Sequence, residues 1–350
     1  MVIPENIYDC IIIGGGQAGL SVAYFLKRSK LNYLILDVES NTGGSWLHTW
    51  DSLKLFSPSQ YSSLSGWQMP TTKQEYPTKY EYLNYLSNYE KRYNFPIQRN
   101  TFVEEVVKEK ELFKLKTNRG DFVSKTVVSA TGTARSPFIP DYPYIEHYLG
   151  VQIHSSSYKN NSEFEHKRVL VVGGGNSGAQ ILAEVSKVAY TKWVTLEKPV
   201  FLPEEIDGRY LFNQANKKYF NQPNASDPLQ VSLSDIVQVE SVKEGLIRGV
   251  FKDNRPFTSF YENGVVWQDG KKEVFDAIIW CTGFKPHLNH LNSLNIVENN
   301  KVATNHTRAI KEPNLWVVGY GNWTGFASAT IYGVGKTAKH TAKEIISTLS

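Results

Sequence analysis

A glycine-rich turn of the pattern G-x-G-x-x-G occurs twice in this 350-residue chain. Each copy directly follows a short apolar run, and the two copies are Gly14-Gly15-Gly16-Gln17-Ala18-Gly19 and Gly173-Gly174-Gly175-Asn176-Ser177-Gly178. In such a turn the first glycine permits the tight bend, the second admits a pyrophosphate, and the third lets the helix pack close to the strand. The sequence therefore predicts two βαβ units, with crossover helices over 21–30 and 179–188, and two bound dinucleotides.

An acid follows the second predicted strand of each unit. Asp37 comes after Leu34-Ile35-Leu36, and Glu197 comes after Val194-Thr195-Leu196. A carboxylate at a strand end accepts hydrogen bonds from a ribose 2′-hydroxyl and repels a 2′-phosphate. Asp37 therefore predicts the adenosine ribose of FAD or NAD, and Glu197 predicts NADH over NADPH. Lys198 could still reach a phosphate, so NADPH stays open as the alternative.

Composition narrows the classes of protein that the chain can belong to. A hydrophobic content of 41% and a charged content of 21% are typical of soluble globular proteins. The net charge of +4 comes without a basic block interleaved with aromatic residues, which disfavours nucleic acid as a partner. The apolar runs are too short to cross a bilayer. We therefore expect a cytoplasmic protein with no membrane span, and no residues have the spacing of a metal site.

The two cysteines, Cys10 and Cys281, are far apart in the sequence and form no C-x-x-C pair. A flavin enzyme that reduces disulfides usually relays its electrons through a dithiol. Without a dithiol, a reduced flavin in this chain would act on oxygen or on a bound acceptor.

The order of elements predicts an α/β fold with two Rossmann-like three-layer domains, the second inserted into the first. Strand 126–130 leads into Thr131-Gly132, and strand 277–280 leads into Thr282-Gly283 in the same manner. The expected boundaries are 1–160 and 278–350 for an FAD-binding domain and 161–277 for an NAD(P)H-binding domain. The aromatic spacing of 79–93 predicts a helix.

The chain resembles the flavin-containing monooxygenases, in particular their short bacterial branch that tolerates NADH. The resemblance rests on the two glycine-rich turns, on Gly43-Gly44-Ser45-Trp46 as the G-G-x-W motif, and on two A-T-G-type linkers, 130–132 and 281–284. Residues 148–158 fit the signature F-x-G-x-x-x-H-x-x-x-W with Tyr at both ends. The resemblance implies FAD on the first unit and a nicotinamide coenzyme on the second. It also implies that reduced flavin forms a C4a-hydroperoxide with O2 and transfers one oxygen atom.

The motifs and the resemblance together give the candidate site residues. Two residues are candidates for the catalytic region: Phe56, where larger family members place an Asn, and His154, which would link domains or cofactor and need not transfer a proton. The alternative for His154 is a buried, hydrogen-bonded residue without such a role. Asp207-Gly208-Arg209 is expected to be a polar turn, with a coenzyme contact as the alternative. The cofactor-binding candidates are Gly14, Gly16, Gln17, Ala18, Gly19, Asp37, Gly44, Ser45, Trp46, Thr131, Gly132, Gly173, Gly175, Asn176, Ser177, Gly178, Glu197, Thr282, Gly283 and Asn322.

The resulting prediction is an FAD-dependent monooxygenase that uses NADH, or alternatively NADPH, and O2 to oxygenate small molecules by sulfide oxidation or Baeyer–Villiger insertion. The first alternative is an NAD(P)H:acceptor flavin oxidoreductase without oxygen insertion, which Phe56 favours and residues 148–158 oppose. The second alternative is a redox accessory flavoprotein with negligible turnover. The expected partners are a small-molecule substrate and O2, and a homodimer stays open.

Overall fold

The structure is a computed structural model, and it describes residues 6–206, 235–325 and 327–350. The predicted turn Asp207–Arg209 lies outside the described residues. The chain divides into two compact units, and the second is inserted into the first. The first unit runs to Leu47 and resumes over Pro58–Ser136 and Lys285–Ser350, while the second consists of His48–Ser57 and Pro137–Phe284.

The elements are numbered in chain order. The helices are α1 (Gln17–Leu26), α2 (Lys79–Tyr93), α3 (Asn176–Val185), α4 (Glu240–Ile247) and α5 (Ile331–Leu349). The strands before the insertion are β1 (Ile7–Ile13), β2 (Tyr33–Leu36), β3 (Ile97–Gln98), β4 (Val103–Glu109), β5 (Leu112–Thr117) and β6 (Gly120–Ser129). The second unit contributes β7 (Val151–His154), β8 (Arg168–Val172), β9 (Tyr190–Val194), β10 (Asp253–Asn254), β11 (Ser259–Tyr261), β12 (Gly264–Val266), β13 (Lys272–Val274) and β14 (Ala277–Trp280). The remaining strands are β15 (Val297–Glu298), β16 (Lys301–Val302), β17 (Thr304–Asn305), β18 (Arg308–Ala309) and β19 (Leu315–Val317).

The main sheet of the first unit has the strand order β17-β18-β19-β6-β1-β2-β3, and the hairpin β4–β5 pairs with β6. Strands β19, β6, β1, β2 and β3 run parallel. The carboxyl end of β1, Ile13, pairs with Leu36 of β2 and Ser129 of β6. The ends of three strands therefore meet at one edge of the sheet, which is where open α/β sheets bind their ligands.

The main sheet of the second unit has the order β10-β9-β8-β14-β7, and all its pairs are parallel. A separate antiparallel sheet, β11-β12-β13, belongs to the same unit. Apart from the exposed Arg168 at the start of β8, the central strands β8 and β14 are apolar and buried, as expected for parallel strands that are covered on both faces. The predicted α/β class with two Rossmann-like units, one inserted into the other, is confirmed.

Helix α2 spans the predicted residues 79–93. A capping box begins it: Thr78 accepts a hydrogen bond from the Glu81 N–H, and the Glu81 carboxylate accepts one from the Thr78 N–H at 2.8 Å. Its tyrosine face is buried at Tyr82, Tyr85 and Tyr89. The capping box and the buried tyrosine face therefore both agree with the fifteen-residue helix predicted over 79–93.

Candidate functional site

The first glycine-rich turn leaves no room for a side chain at Gly14 or at Gly19. A Cβ atom on Gly14 would lie 2.6 Å from the Ala130 carbonyl oxygen, and one on Gly19 would lie 1.9 Å from the Gly14 carbonyl oxygen. Helix α1 begins within this segment, at Gln17, with Gly16 as its N-cap, and Gly16 has no side chain to accept from the first N–H groups. The turn therefore combines a close backbone approach with a helix N-terminus, the arrangement that binds a pyrophosphate.

Asp37 lies against this turn, directly after β2. Its carboxylate is buried, and a Cβ on Gly15 would come within 2.6 Å of it. Burial raises the pKa of Asp37, whereas the Arg99 guanidinium, which forms an ion pair with it, lowers that pKa. Arg99 also pairs with Glu90. The sequence analysis did not identify Arg99, whose only signal is its position after the two-residue strand β3.

The G-G-x-W segment contacts the same turn. Gly44 has a φ of 54°, and a Cβ on it would lie 2.8 Å from the Gly16 Cα. The Trp46 indole N–H donates to the Gln17 Oε1 at 3.0 Å, and the Gln17 amide donates to the Ala329 carbonyl at 3.0 Å. Ser45 is exposed beside them. The first unit thus brings Gly16, Gln17, Gly44 and Trp46 together.

Tyr82 adds an unusual polar atom next to Trp46. The two rings are 4.7 Å apart and meet edge to face. Tyr82 is fully buried, and among the described residues its hydroxyl and that of Tyr158 are the buried side-chain polar atoms without a hydrogen-bond partner. A buried, unpaired hydroxyl is unfavourable by about 1–3 kcal/mol. Together with the glycine turn and Asp37, this hydroxyl fits a unit that holds a polar cofactor.

The second unit repeats the turn. A Cβ on Gly173 would lie 2.2 Å from the Cys281 carbonyl oxygen, and one on Gly178 would lie 2.1 Å from the Gly173 carbonyl oxygen. Gly175 is the N-cap of α3, whose first residues are Asn176 and the half-buried Ser177. The Asn176 amide donates to the Asp235 carbonyl at 2.9 Å and accepts from the Val237 N–H at 2.9 Å. The side chain of Asn176 therefore holds the segment 235–237 against the turn.

The register of the second unit identifies which residue matches Asp37. The Gly14 N–H donates to the Leu36 carbonyl, and the Gly173 N–H donates to the Val194 carbonyl, both at 2.8 Å. Because Val194 takes the place of Leu36, the next residue, Thr195, takes the place of Asp37. Thr195 is buried beside Gly174, and Glu197 lies two residues further on and is exposed. Sequence reasoning missed Thr195, because its predicted strand ran on to Leu196.

The two linker segments are held by hydrogen bonds within their own units. In the first unit, the Thr131 hydroxyl donates to the His287 carbonyl at 2.6 Å, and the His287 N–H donates to the Gly132 carbonyl at 2.9 Å. In the second unit, the Thr282 hydroxyl donates to the Phe138 carbonyl, and the Phe138 N–H donates to the Gly283 carbonyl at 2.9 Å. Each linker therefore has a defined path at the end of a parallel strand.

His154 is buried at the end of β7, and both of its ring nitrogens are engaged. Nδ1 accepts from the Ser156 N–H at 3.1 Å, so Nε2 carries the proton and donates to the Gly283 carbonyl at 3.0 Å. Burial lowers the pKa of His154, which keeps the ring neutral near pH 7. The imidazole therefore links β7 to the Thr282-Gly283 linker, and neither nitrogen is available to move a proton in this arrangement.

Two further candidates lie in different units. Phe56, in the second unit, is half-buried and packs against the apolar cluster that contains Trp50. Asn322, in the first unit, begins a short 3-10 helix (Asn322–Thr324) after the left-handed Gly321 and is exposed. The structure therefore groups Asn322 with the residues of the first turn's unit and Phe56 with those of the second.

Both cysteines are free thiols, and burial raises the pKa of each to about 12. Within residues 6–206, 235–325 and 327–350, no group of His, Cys, Asp or Glu side chains could hold a metal ion. No helix in those same ranges has both the length and the apolar character that crossing a bilayer requires.

Two glycine-turn units, one inserted into the other, define the class of flavoproteins that bind two dinucleotides. The sequence pattern described as "Pyridine nucleotide-disulphide oxidoreductase" matches residues 11–319, and the chain belongs to this family. The expected resemblance to flavin-containing monooxygenases is confirmed by the relatives that follow.

A flavin-containing monooxygenase from Stenotrophomonas maltophilia has 41% sequence identity and a TM-score of 0.91, covering 99% of this chain and 100% of that one. The uncharacterized oxidoreductase CzcO of Bacillus subtilis is 33% identical over 97% of this chain and 99% of its own length. The probable indole-3-pyruvate monooxygenase YUCCA4 of Arabidopsis thaliana is 26% identical over 96% of this chain and 89% of its own. The chain is therefore a flavin-dependent oxidoreductase of the monooxygenase type, with a flavin and a nicotinamide coenzyme.

Proposed function

We propose that this chain is an FAD-dependent monooxygenase that uses a reduced nicotinamide coenzyme and O2 to oxygenate small sulfides or ketones. The observation that carries the proposal is the pair of glycine cradles in a chain whose two cysteines, the buried Cys10 and the half-buried Cys281, are separate free thiols. Two dinucleotides suit internal electron transfer, and the chain's two cysteines provide no dithiol to receive the electrons. Oxygen is then the acceptor that such a chain can use directly.

The first unit is proposed to hold FAD. The N–H groups at the start of α1 would bind the pyrophosphate, Asp37 would accept hydrogen bonds from the adenosine ribose, and Trp46 would be held in place by Gln17. The remaining proposed contacts of this unit are Ala18, Gly44, Ser45, Thr131, Gly132 and Asn322. When bound, FAD supplies hydride acceptance and oxygen activation, and the protein supplies placement and a defined polar environment.

The second unit is proposed to hold the nicotinamide coenzyme at residues 173–178. Gly173 and Gly178 are fixed by contacts that exclude side chains, so the backbone can approach a pyrophosphate. His154 would act as a positioning residue for Thr282 and Gly283 through its hydrogen bond to the Gly283 carbonyl. Glu197 remains the proposed determinant of NADH use, since its exposed carboxylate would repel a 2′-phosphate from the loop after β9.

The decisive experiment compares the amount of each product with the amount of NADH that the FAD-loaded protein consumes. NADH consumption, hydrogen peroxide and oxygenated product are measured together, with a thioether and a cyclic ketone as probes. We expect sulfoxide or lactone to account for a substantial share of the NADH consumed. If peroxide accounts for all of it with every probe, the oxygenase proposal is wrong.

The second candidate function is an NAD(P)H:acceptor oxidoreductase that inserts no oxygen. Phe56 favours it, because a phenyl ring packed against an apolar cluster can exclude water but cannot donate a hydrogen bond to a reduced oxygen species. Phe56→Asn should then raise the fraction of NADH recovered as oxygenated product. Leu53→Asn, at a neighbouring position packed against the same cluster, is the matched control and should not raise it.

The contribution of Glu197 is tested by charge reversal. Glu197→Arg should raise kcat/KM for NADPH relative to NADH about fivefold, the size expected for an exposed ion pair. Glu205→Arg, at another exposed acid of the same segment, should leave the ratio unchanged. An unchanged ratio in the Glu197 variant would remove this residue from the coenzyme site.

A further inference from the structure

Tyr320 lies where three segments of the first unit meet. It comes shortly after β19 and is buried. Its hydroxyl oxygen lies 2.5 Å from the Ser129 hydroxyl oxygen and 2.7 Å from the Thr131 hydroxyl oxygen, and it accepts from the Thr131 N–H at 3.2 Å. Ser129 ends β6, and Thr131 belongs to the linker that follows this strand. One buried side chain therefore connects a strand end, a linker and the loop after β19.

The donors and acceptors in this group follow from the number of protons. The Thr131 hydroxyl has one proton, which it donates to the His287 carbonyl at 2.6 Å. Toward Tyr320 it can then only accept, so Tyr320 donates to Thr131 and accepts from Ser129. The Ser129 oxygen in turn accepts from Nε2 of His290 at 2.9 Å. The hydrogen bonds therefore run in one direction, and their order is His290, Ser129, Tyr320, Thr131 and the His287 carbonyl.

This hydroxyl series (Ser129, Tyr320 and Thr131) ends inside the protein. Its last acceptor is a main-chain carbonyl, which accepts a hydrogen bond but has no proton of its own to pass on. Each of the three hydroxyls is already committed as a donor. The series therefore fixes the orientation of its side chains and does not conduct protons.

The two segments that Tyr320 joins both lie against the first glycine-rich segment. A Cβ atom on Gly14 would lie 2.6 Å from the carbonyl oxygen of Ala130, the residue before the linker threonine. A Cβ atom on Gly319, the residue before Tyr320, would lie 2.7 Å from the Ala18 Cβ. The linker and the loop are therefore held on the same glycine-rich segment that is proposed to bind the FAD pyrophosphate.

Only part of the linker stays available to a ligand. The N–H and the hydroxyl of Thr131 are both engaged with protein groups. The next residue, Gly132, has a φ of 66°, and a Cβ atom on it would meet no atom within 4 Å apart from its neighbours in the chain. In the loop, Asn322 is exposed two residues after Tyr320. Gly132 and Asn322, which are both proposed FAD contacts, are thus the groups that the two segments present.

We propose that Tyr320 is a positioning residue for FAD, because its hydroxyl fixes the separation between the linker at 131–132 and the loop at 319–322. The inference rests on the proposed function, since it requires that the first unit bind FAD. The Tyr320 hydroxyl donates once and accepts twice, so it has no capacity left for the cofactor and acts through the linker. Without it, the Ser129 hydroxyl and the Thr131 N–H lose their acceptor, and the linker is free to shift.

The affinity for FAD tests this role. Ultrafiltration of the FAD-loaded full chain over a dilution series gives the Kd from the absorbance of free and bound flavin. We expect Tyr320→Phe to bind FAD about tenfold more weakly than wild type, the size expected for one lost hydrogen bond. The visible circular dichroism of the remaining bound flavin should also differ from that of wild type, because the flavin contacts have shifted.

A matched control separates positioning from a general loss of stability. The Tyr85 hydroxyl, in the same unit, also accepts from a main-chain N–H, that of Leu64, and donates to the Trp67 carbonyl. Tyr85→Phe should therefore lower stability in the same way while leaving the Kd for FAD within about twofold of wild type. Thermal unfolding checks that both variants are folded at the temperature of the binding measurement.

A double-mutant cycle tests whether Tyr320 acts through the linker. Thr131→Val removes the acceptor of the Tyr320 proton and should weaken FAD binding about as much as Tyr320→Phe. The double variant should bind FAD about as well as the weaker single variant, because both substitutions interrupt the same hydroxyl series. Thr131→Ser keeps the hydroxyl and should restore most of the affinity that Thr131→Val loses.

Four results would overturn the proposal. A wild-type Kd in Tyr320→Phe would mean that the hydroxyl does not position the cofactor. An equal loss of affinity in Tyr85→Phe would mean that the effect is one of general stability. Multiplied effects in the double variant would mean that Tyr320 and Thr131 act independently. If wild type itself binds no FAD, the proposed function of the first unit fails, and the role of Tyr320 fails with it.

Discussion

A buried histidine makes the stability of the first unit depend on pH. His290 is 3% exposed, and its Nε2 lies 2.9 Å from the Ser129 hydroxyl oxygen. That hydroxyl in turn lies 2.5 Å from the Tyr320 hydroxyl. Burial, together with the neighbouring His287, lowers the pKa of His290 to about 3. His290 is therefore neutral in the native state wherever the protein is ordinarily handled.

The sign and size of the effect follow from proton linkage. In the unfolded chain a histidine has its ordinary pKa of 6.5, so below that pH the unfolded state binds a proton that the native state does not. Stability is therefore fully present above pH 6.5 and decreases as the pH falls toward 3. One pH unit corresponds to about 1.4 kcal/mol, so His290 alone should remove about 2 kcal/mol of unfolding free energy between pH 6.5 and pH 5.

The assay is urea unfolding of the flavin-saturated protein at several pH values from 7.5 to 5, for wild type and His290→Gln. The glutamine is neutral and can still hydrogen-bond to Ser129. We expect the variant to lose about 2 kcal/mol less over this range than wild type. Burial also lowers the pKa values of His154 and His287, and these two residues contribute equally to the pH dependence of the unfolding free energy in both proteins.

A second substitution distinguishes titration from loss of packing. Leu291→Ala removes a fully buried neighbour and should lower stability by about 2–5 kcal/mol at every pH without changing the slope. Equal slopes for wild type and His290→Gln would refute the reasoning, because they would mean that His290 gains no differential proton on unfolding.

Three further predictions concern the first unit. Gly19→Ala places a Cβ 1.9 Å from the Gly14 carbonyl oxygen, so purified protein should contain far less flavin per chain by visible absorbance; full occupancy would contradict the cradle. Tyr85→Phe should lower the free energy of unfolding, measured with urea, by about 1–2 kcal/mol. The Tyr85 hydroxyl accepts from the Leu64 N–H at 2.8 Å and donates to the Trp67 carbonyl at 2.7 Å. Tyr82→Phe in the flavin-free protein should be neutral or stabilising, because the Tyr82 hydroxyl has no hydrogen-bond partner. Thr78→Ala should cost about 1 kcal/mol by the same measurement, and an unchanged value would mean that the capping box adds nothing.

Local signals in the sequence were sufficient for the parts of the fold that depend on local chemistry. The helix over 79–93 has a capping box at one end and a buried aromatic face, and both are visible in the residues themselves. The glycine-rich turns are equally local. The helices after them begin at Gln17 and Asn176, earlier than the predicted 21 and 179, because a glycine N-cap leaves no polar residue in the sequence to mark the start.

Long-range pairing was the part that local signals could not supply. Boundaries between the compact units fall after Ser136 and Phe284, whereas the domain boundaries expected from the sequence fall after residues 160 and 277. Strand β7 pairs with β14 more than a hundred residues away, which places it in the sheet of the second unit. The assignment of FAD and NAD(P)H to the domains stays a prediction.

The strand-end chemistry of the second unit shows the same limitation. The apolar Leu196 suggested that the strand continued to the acid, but Leu196 is 83% exposed, and the ladder of β9 ends at Val194. The two-residue strands β3 and β10 are too short for an alternating pattern. Arg99 and Arg255, which follow them, therefore carried no recognisable signal.

The matching positions of Asp37 and Thr195 have a consequence for how such proteins diversify. In both units the β2–β3 and β9–β10 contacts at the strand end are made by main-chain atoms, so the side chain there can change from an acid to a hydroxyl without altering the ladder. The side chain at this position is thus separable from the strand pairing. A unit with this property can change the chemical group that it presents at the strand end through one substitution, and the strand pairing is kept.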